Sequence, residues 1–475
     1  MLTSQRTELV VIRQTSHFVD RAMSEKQQSS KRRVAVIGGG ITGLSAAWLL
    51  GKQHQVTVYE RADYAGGHTN TVDVNLSDGR VAVDTGFIVF NDRNYPNLCA
   101  LFDHLKVEST ASDMSFAVSA DQGRLEYGTG DLSMLFAQKR NIVSPAYLRM
   151  LRDISRFYRA GHQALISGVE DLSLGQLLGQ LGMGPEFTRF HILPMSAAIW
   201  SAPADRVLDF PAAPFLRFMS NHGLLGLDDR PQWRTVTGGG RNYVNALLGN
   251  MSGSVRLNTG VEAVTRTPEG VQIEDRQGGV EHFDQVVMAS HADESLRMIK
   301  DADPAEKRVL GAFGYQRNLA VLHTDNRFMP RRRRAWASWN SLLPDDRPDR
   351  APMVTYWMNR LQPLNTQQDL FVTLNPDAED MPDNVLRSFP YDHPMFDSAT
   401  DVMQREVWEI QGRRGLWFCG AWLGHGFHED GLQAGLAVAE ALGDVRRPWN
   451  VADPSGRLQL PASWSDAIWP EGRAA

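Results

Sequence analysis

Gly38, Gly40 and Gly43 follow the short apolar run Val34–Ile37, and Glu60 closes the next apolar run, Gln55–Tyr59. This is the pattern strand, glycine turn, helix start, with an acid about 20 residues on. Each residue type has a physical task. Gly38 permits the tight turn out of a buried parallel strand. Gly40 lacks a β-carbon, so a pyrophosphate can approach the backbone there. Gly43 lets the helix pack close to the sheet. Ile41 and Thr42 open that helix, whose free N–H groups and positive dipole end suit phosphate. Glu60 can accept hydrogen bonds from a ribose hydroxyl and would repel a 2′-phosphate. The chemistry implied is dinucleotide binding, and the fingerprint alone leaves NAD and FAD both open.

The flanking residues narrow the choice. Gly66-Gly67-His68-Thr69 comes soon after Glu60, and Val83-Asp84-Thr85-Gly86-Phe87 follows a turn at Asp78-Gly79. Far downstream, the run Gly415 to Gly424 leads through His425, Phe427 and His428 into Gly431-Leu-Gln-Ala-Gly435 and an amphipathic stretch to Leu442. That segment reads as a strand, a glycine loop and a helix, a second place for backbone to approach a cofactor. At these residues the chain resembles the flavin-containing amine oxidase, phytoene desaturase and protoporphyrinogen oxidase superfamily. It is most similar there to bacterial proteins described as predicted NAD/FAD-binding oxidoreductases, some of which are thought to act on lipid acyl chains. The resemblance runs from about Arg33 to Leu442 and specifies FAD and the fold, not the substrate.

The resemblance implies an α/β protein with a Rossmann-like FAD-binding domain and an inserted α+β substrate domain, the two-domain amine-oxidase-like fold. It implies that Gly38, Gly40 and Gly43 hold the FAD pyrophosphate, with Glu60 and Arg61 at the adenosine ribose. Gly66, Gly67 and His68 would pass beneath the phosphates and ribityl chain. The family often has arginine where this chain has His68, and imidazole makes fewer charge-assisted contacts than guanidinium. Val261 would touch adenine through its backbone, and Gly420 and Ala421 would lie along the phosphate and ribityl side. Leu432 and Gln433 would start a helix aimed at the isoalloxazine N1 and C2 oxygen, where a helix N-terminus stabilises the negative charge of reduced flavin.

Near the flavin, Phe427 and His428 are the candidate catalytic residues. They fall about where amine oxidases place an aromatic facing the ring. His428 has two readings. Its ordinary pKa suits a base or a group polarising substrate at neutral pH; alternatively it bonds Glu429 or Asp430 and orders the loop. Flavin amine oxidases commonly use a lysine near N5. Here only Lys300 and Lys307 follow Lys139, both in a helix-like surface stretch, which argues against an amine oxidase. No catalytic triad, metal-ligand spacing or paired-carboxylate site stands out.

The elements that must position these residues are spread along the chain. With 475 residues the chain is too long for one core. The expected FAD-binding domain is discontinuous, built from 32–110, 232–297 and 405–446. Residues 111–231 and 298–404 form the substrate domain, with helices over 131–230 and strands over 318–375. Residues 1–31 read as a disordered extension, with Met23 the natural start, and 447–475 as a proline-rich tail on the surface. Apolar content of 42% and charged content of 22% are globular values. The net charge of −6 gives no reason to expect nucleic acid. Cys99 and Cys419, the only cysteines, read as free thiols in a reducing compartment. No signal-peptide run and no transmembrane run is evident. The chain therefore reads as cytoplasmic.

Two stretches of the substrate domain bear on partners. Arg331–Arg334, close to Trp336 and Trp339, is either a solvated loop or a docking patch for lipid phosphates or an acyl carrier, with the tryptophans at a membrane interface. Phe210, Phe215, Phe218, Met219, Leu224 and Leu225 either line an apolar tunnel or are plain core; Met195, Ile199 and Trp200 share the ambiguity. The reading is an FAD-dependent oxidoreductase that removes hydride from an apolar substrate, foremost a lipid or fatty-acyl chain, with peripheral membrane contact through Arg331–Arg334. A flavin amine oxidase and a non-redox flavin-binding protein or isomerase are the alternatives.

Overall fold

The computed structural model describes residues 31–169, 172–200, 207–221, 223–226, 231–343, 352–462 and 464. The expectations for the extension before residue 31, including Met23, lie outside them. A five-stranded parallel sheet carries the fingerprint. Its strand order is Leu416–Phe418, Gln285–Met288, Arg33–Ile37, Gln55–Tyr59 and Ser254–Arg256. These strands come from three distant stretches of chain, and the apolar runs of the three central strands are buried, as parallel strands covered on both faces must be. The helix Ile41–Leu50 leaves the first strand with all ten residues buried. It lies against the sheet, the helix Arg241–Gly249 and the C-terminal helix His428–Gly443.

A second, mixed sheet of seven strands has the order Val385–Pro394, Tyr315–His323, Phe371–Leu374, Met353–Trp357, Trp339–Leu342, Phe116–Ala120 and Leu125–Gly128. Only the pairing of Trp339–Leu342 with Phe116–Ala120 is parallel. One end of it packs on helices that include Pro145–Ser167, Leu174–Gln180 and Ala212–Asn221. Phe215, Met219, Leu225 and Met195 are buried in that packing, so these members of the proposed tunnel are core. The side chains of Phe218, Ile199 and Trp200 lie outside the described set.

The described residues beyond 446 do not simply lie on the surface. Arg447 is buried and paired with buried Glu440, and Trp449 stacks on Trp48 of the fingerprint helix. Among the described residues, no helix is long and apolar enough to cross a membrane.

Candidate functional site

The three fingerprint glycines occupy three different steric situations. Gly38 has φ +113°, and a β-carbon there would meet Ala289 O at 2.6 Å. A β-carbon at Gly43 would meet Gly38 O at 1.9 Å, so the turn and the helix leave no room for one. At Gly40 nothing lies nearer than Gly67 Cα at 4.0 Å. The backbone there is bare, as the approach of a pyrophosphate requires. The helix Ile41–Leu50 has no side-chain cap and no acid in its first turn, which leaves its N-terminal dipole for an anion. Gly66 is drawn onto this corner: its N–H donates to Gly39 O at 2.7 Å, and Gly66 bridges to Gly40. Glu60 accepts from Gly39 N–H at 2.7 Å and Ala62 N–H at 2.8 Å, which fixes its carboxylate beside the turn. These residues fit the ADP half of FAD.

The other cofactor candidates surround that corner. Arg61 is tied to Glu294 at 2.6 Å. Gly260, just before Val261, comes against Arg61 Cβ, so the start of the strand Val261–Thr267 sits beside the ribose end. Gly420 and Ala421 follow the strand Leu416–Phe418, and Ala421 lies close to Gly431 of the C-terminal helix. Leu432 and Gln433 require a correction. The helix begins at His428, so these two residues lie a turn inside it and are buried. Asp430 is the cause. Its carboxylate accepts from Phe427 N–H at 2.7 Å and His425 N–H at 3.0 Å and caps the helix early. Gln433 instead donates to Glu429 at 2.9 Å and accepts from Arg457 N–H.

His428 bonds neither Glu429 nor Asp430. Its Nε2 lies 2.6 Å from Tyr243 Oη and 3.2 Å from Thr69 Oγ1, and its ring stacks on Phe87 at 3.9 Å. Burial lowers its pKa to about 3, so it is neutral at physiological pH. Glu429 is spent elsewhere: buried, it caps the helix Pro96–Leu105 by accepting from Asn97 and Leu98 N–H, both at 3.0 Å. Phe427 is partly buried beside His428. His68 lies with its ring 5.0 Å from Tyr391, 5.6 Å from His393 and 6.3 Å from His291. Its Nε2 is buried without a protein partner. Burial, then the neighbouring His393 and His291, lowers its pKa to about 3. The edge strand Val385–Pro394 of the seven-stranded sheet delivers Tyr391 and His393 to this point.

Sequence reasoning did not single out Thr69, Phe87, Tyr243, Tyr391 or His393. Thr69, Phe87 and Tyr243 stand in stretches it did mark, near glycines, but nothing in their spacing joins them. All described lysines are exposed, Lys300 and Lys307 included. Cys419 is fully buried and its thiol is pushed well up by burial; Cys99 is pushed to about 12 by the same cause. Neither behaves as a thiolate.

The sequence model for flavin containing amine oxidoreductase matches residues 41–443. The chain belongs to that family. It is therefore a flavoprotein of the oxidoreductase class, and FAD is its cofactor. An L-amino-acid oxidase of Pseudechis australis is 45% identical over 64 residues, which is 13% of this chain and 12% of that relative. The matched segment thus spans about an eighth of the curated relative's length. Two solved structures share the fold. A fatty acid isomerase from P. acnes aligns with TM-score 0.62 at 16% identity, covering 86% of this chain and 98% of that one. Cyclohexylamine oxidase from Brevibacterium oxydans aligns with TM-score 0.57 at 14% identity, covering 87% and 99%.

Proposed function

We propose that this flavoenzyme takes hydrogen from an apolar substrate, foremost a lipid or fatty-acyl chain. The observation that carries this is the uncharged character of the groups gathered around His428. His428 and His68 are neutral, and Tyr243, Tyr391, Phe87 and Phe427 add no charge. Three carboxylates close to His428 and its partners are committed. Asp84 accepts from Gly240 N–H, Thr71 and Gln362; Glu429 caps one helix and Asp430 another. An ammonium substrate loses its water at a cost best repaid by a free carboxylate, which these three do not offer. An apolar chain needs none.

The roles follow from position. Gly38, Gly40, Ile41, Thr42 and Gly43 receive the pyrophosphate, with Glu60 at the ribose, Arg61 and Val261 at the adenosine end, and Gly66, Gly67, His68, Gly420 and Ala421 along the phosphate and ribityl side. FAD, when bound, supplies the hydride acceptor at N5. The chain's own contribution is placement and exclusion of water. Tyr243 and Phe87 hold the His428 ring in one orientation. A second reading is an isomerase that returns the hydrogen to the same substrate, as the fold shared with the fatty acid isomerase allows.

The test is anaerobic titration of the FAD-loaded protein with fatty acids and acyl lipids, then with amines and amino acids, following flavin absorbance and analysing the lipid. Bleaching by lipids with new unsaturation supports the proposal. A shifted double bond with no lasting bleaching supports the isomerase. Bleaching by amines alone overturns both.

A further inference from the structure

The arginine run and its tryptophans do not behave as a sequence-level interface motif. Arg332 pairs with fully buried Glu126 at 2.9 Å, and Arg333 pairs with Asp369 at 2.8 Å. Trp336 is buried, donates to Pro330 O at 2.7 Å and packs against Phe371 and Trp357. Trp336 thus anchors the loop from inside, while Trp339 lies on a strand and packs against Tyr356. This corrects their assignment to a membrane interface. Arg331 and Arg334 remain exposed, and among the described residues no carboxylate pairs with either.

What the arginines adjoin is not visible in sequence. Leu132, Ile142, Val143 and Leu148 are 75%, 54%, 79% and 44% exposed, a concentration of bare aliphatic side chains in one short stretch. Lys139 and Arg140 lie among them, exposed and without an ion pair among the described residues. The stretch and the arginine loop are one surface. The Arg140 guanidinium donates to Arg124 O, Gln138 donates to Gly123 O at 2.8 Å, and Arg332 donates to the same Gly123 O at 3.2 Å. The short helix Leu132–Leu135 packs directly on the turn Arg333–Ala335. Exposed aliphatics interleaved with unpaired cations, on a chain of net charge −6, are a local reversal of the molecule's charge.

We propose that this surface docks the enzyme on an anionic lipid bilayer, with the cations at the lipid phosphates and Leu132, Ile142 and Val143 entering the headgroup region. Charge complementarity selects anionic lipid, and the aliphatics distinguish a bilayer from a merely acidic solute, since branched side chains gain only where there is apolar volume to enter. The inference builds on reading the arginine run as a docking patch and is independent of the chemistry proposed at the flavin.

The experiment is flotation of the FAD-loaded full chain with phosphatidylcholine vesicles, with and without phosphatidylglycerol. Co-flotation is expected only with the anionic lipid, weakening with salt. Arg331→Ser/Arg334→Ser should lower partitioning by roughly fivefold per cation removed. Leu132→Ser/Val143→Ser should lower it at constant charge, and an unchanged melting temperature shows that these exposed positions do not affect folding. Equal binding to neutral vesicles, no binding to anionic ones, or binding unaffected by both double variants overturns the proposal. Flavin bleaching by a water-soluble substrate should be the same in all variants, which separates failure of docking from failure of the proposed chemistry.

Discussion

His428 sits where three segments meet: Thr69 just after Gly66-Gly67, Phe87 beyond the turn at Asp78-Gly79 and Tyr243 from the helix Arg241–Gly249. Burial holds this ring neutral at physiological pH, because the charged form would lose its hydration there. Replacing Tyr243 by Phe removes the 2.6 Å bond and leaves both His428 Nε2 and Thr69 Oγ1 one partner short. The expected loss is about 1 kcal/mol, read from urea unfolding. The pH dependence has a definite sign. The folded pKa of His428, about 3, lies below its ordinary value near 6.5. Its stabilisation is therefore whole above pH 6.5 and is lost progressively as pH falls towards 3. His428→Gln should flatten that acid limb of the stability curve. His68 and His191, both lowered to about 3, should keep part of it. Position near the C-terminal helix is what singled out Phe427 and His428 in sequence. Their partners were not legible, since contacts between distant segments leave no period to read.

Glycine brings the C-terminal helix close against the fingerprint helix. A β-carbon at Gly435 would meet Thr42 O at 2.2 Å, and one at Gly431 would meet Thr42 Oγ1 at 2.6 Å. The C-terminal helix is thereby notched onto the fingerprint helix, which registers its first turn, with Phe427 and His428, against Gly40. Two alanine substitutions separate packing from binding. Gly435→Ala must push the helices apart and should cost about 1–3 kcal/mol, with weaker FAD retention following from the displacement. Gly40→Ala, at φ −77° with open space before it, should leave the melting temperature of the apo-protein nearly unchanged and still lose FAD, measured by flavin fluorescence on mixing. At this scale the first strand, the turn and Glu60 were legible because each has a local steric signature. The start of the C-terminal helix was not. Gly431 looks like a loop residue until the helix it faces is known, and the cap that sets the boundary, Asp430, lies inside the stretch read as a loop.

At the scale of the whole molecule, the segment after residue 446 ties together elements far apart in sequence. Arg447 donates to Glu440 of the C-terminal helix and to Asn97 Oδ1 of the helix Pro96–Leu105, and Arg457 reaches Asp430 at 3.1 Å. Prolines made this stretch look like a surface tail, and charge is normally read as exposed. A buried pair contradicts that habit and leaves no trace in composition. Such a pair adds little against an apolar replacement, but breaking it strands a charge. Arg447→Ala should therefore cost about 3–5 kcal/mol by leaving Glu440 unpaired in the core. The double variant Arg447→Met/Glu440→Leu should recover most of that loss. Ending the chain after Arg446 should resemble the single variant, with weaker FAD retention because the C-terminal helix loses its outer clamp. Urea midpoints of the three proteins decide it. If the double variant is as unstable as Arg447→Ala, the segment acts through Asn97 and Trp449 rather than through the charge pair, and the clamp belongs to the helix Pro96–Leu105 instead.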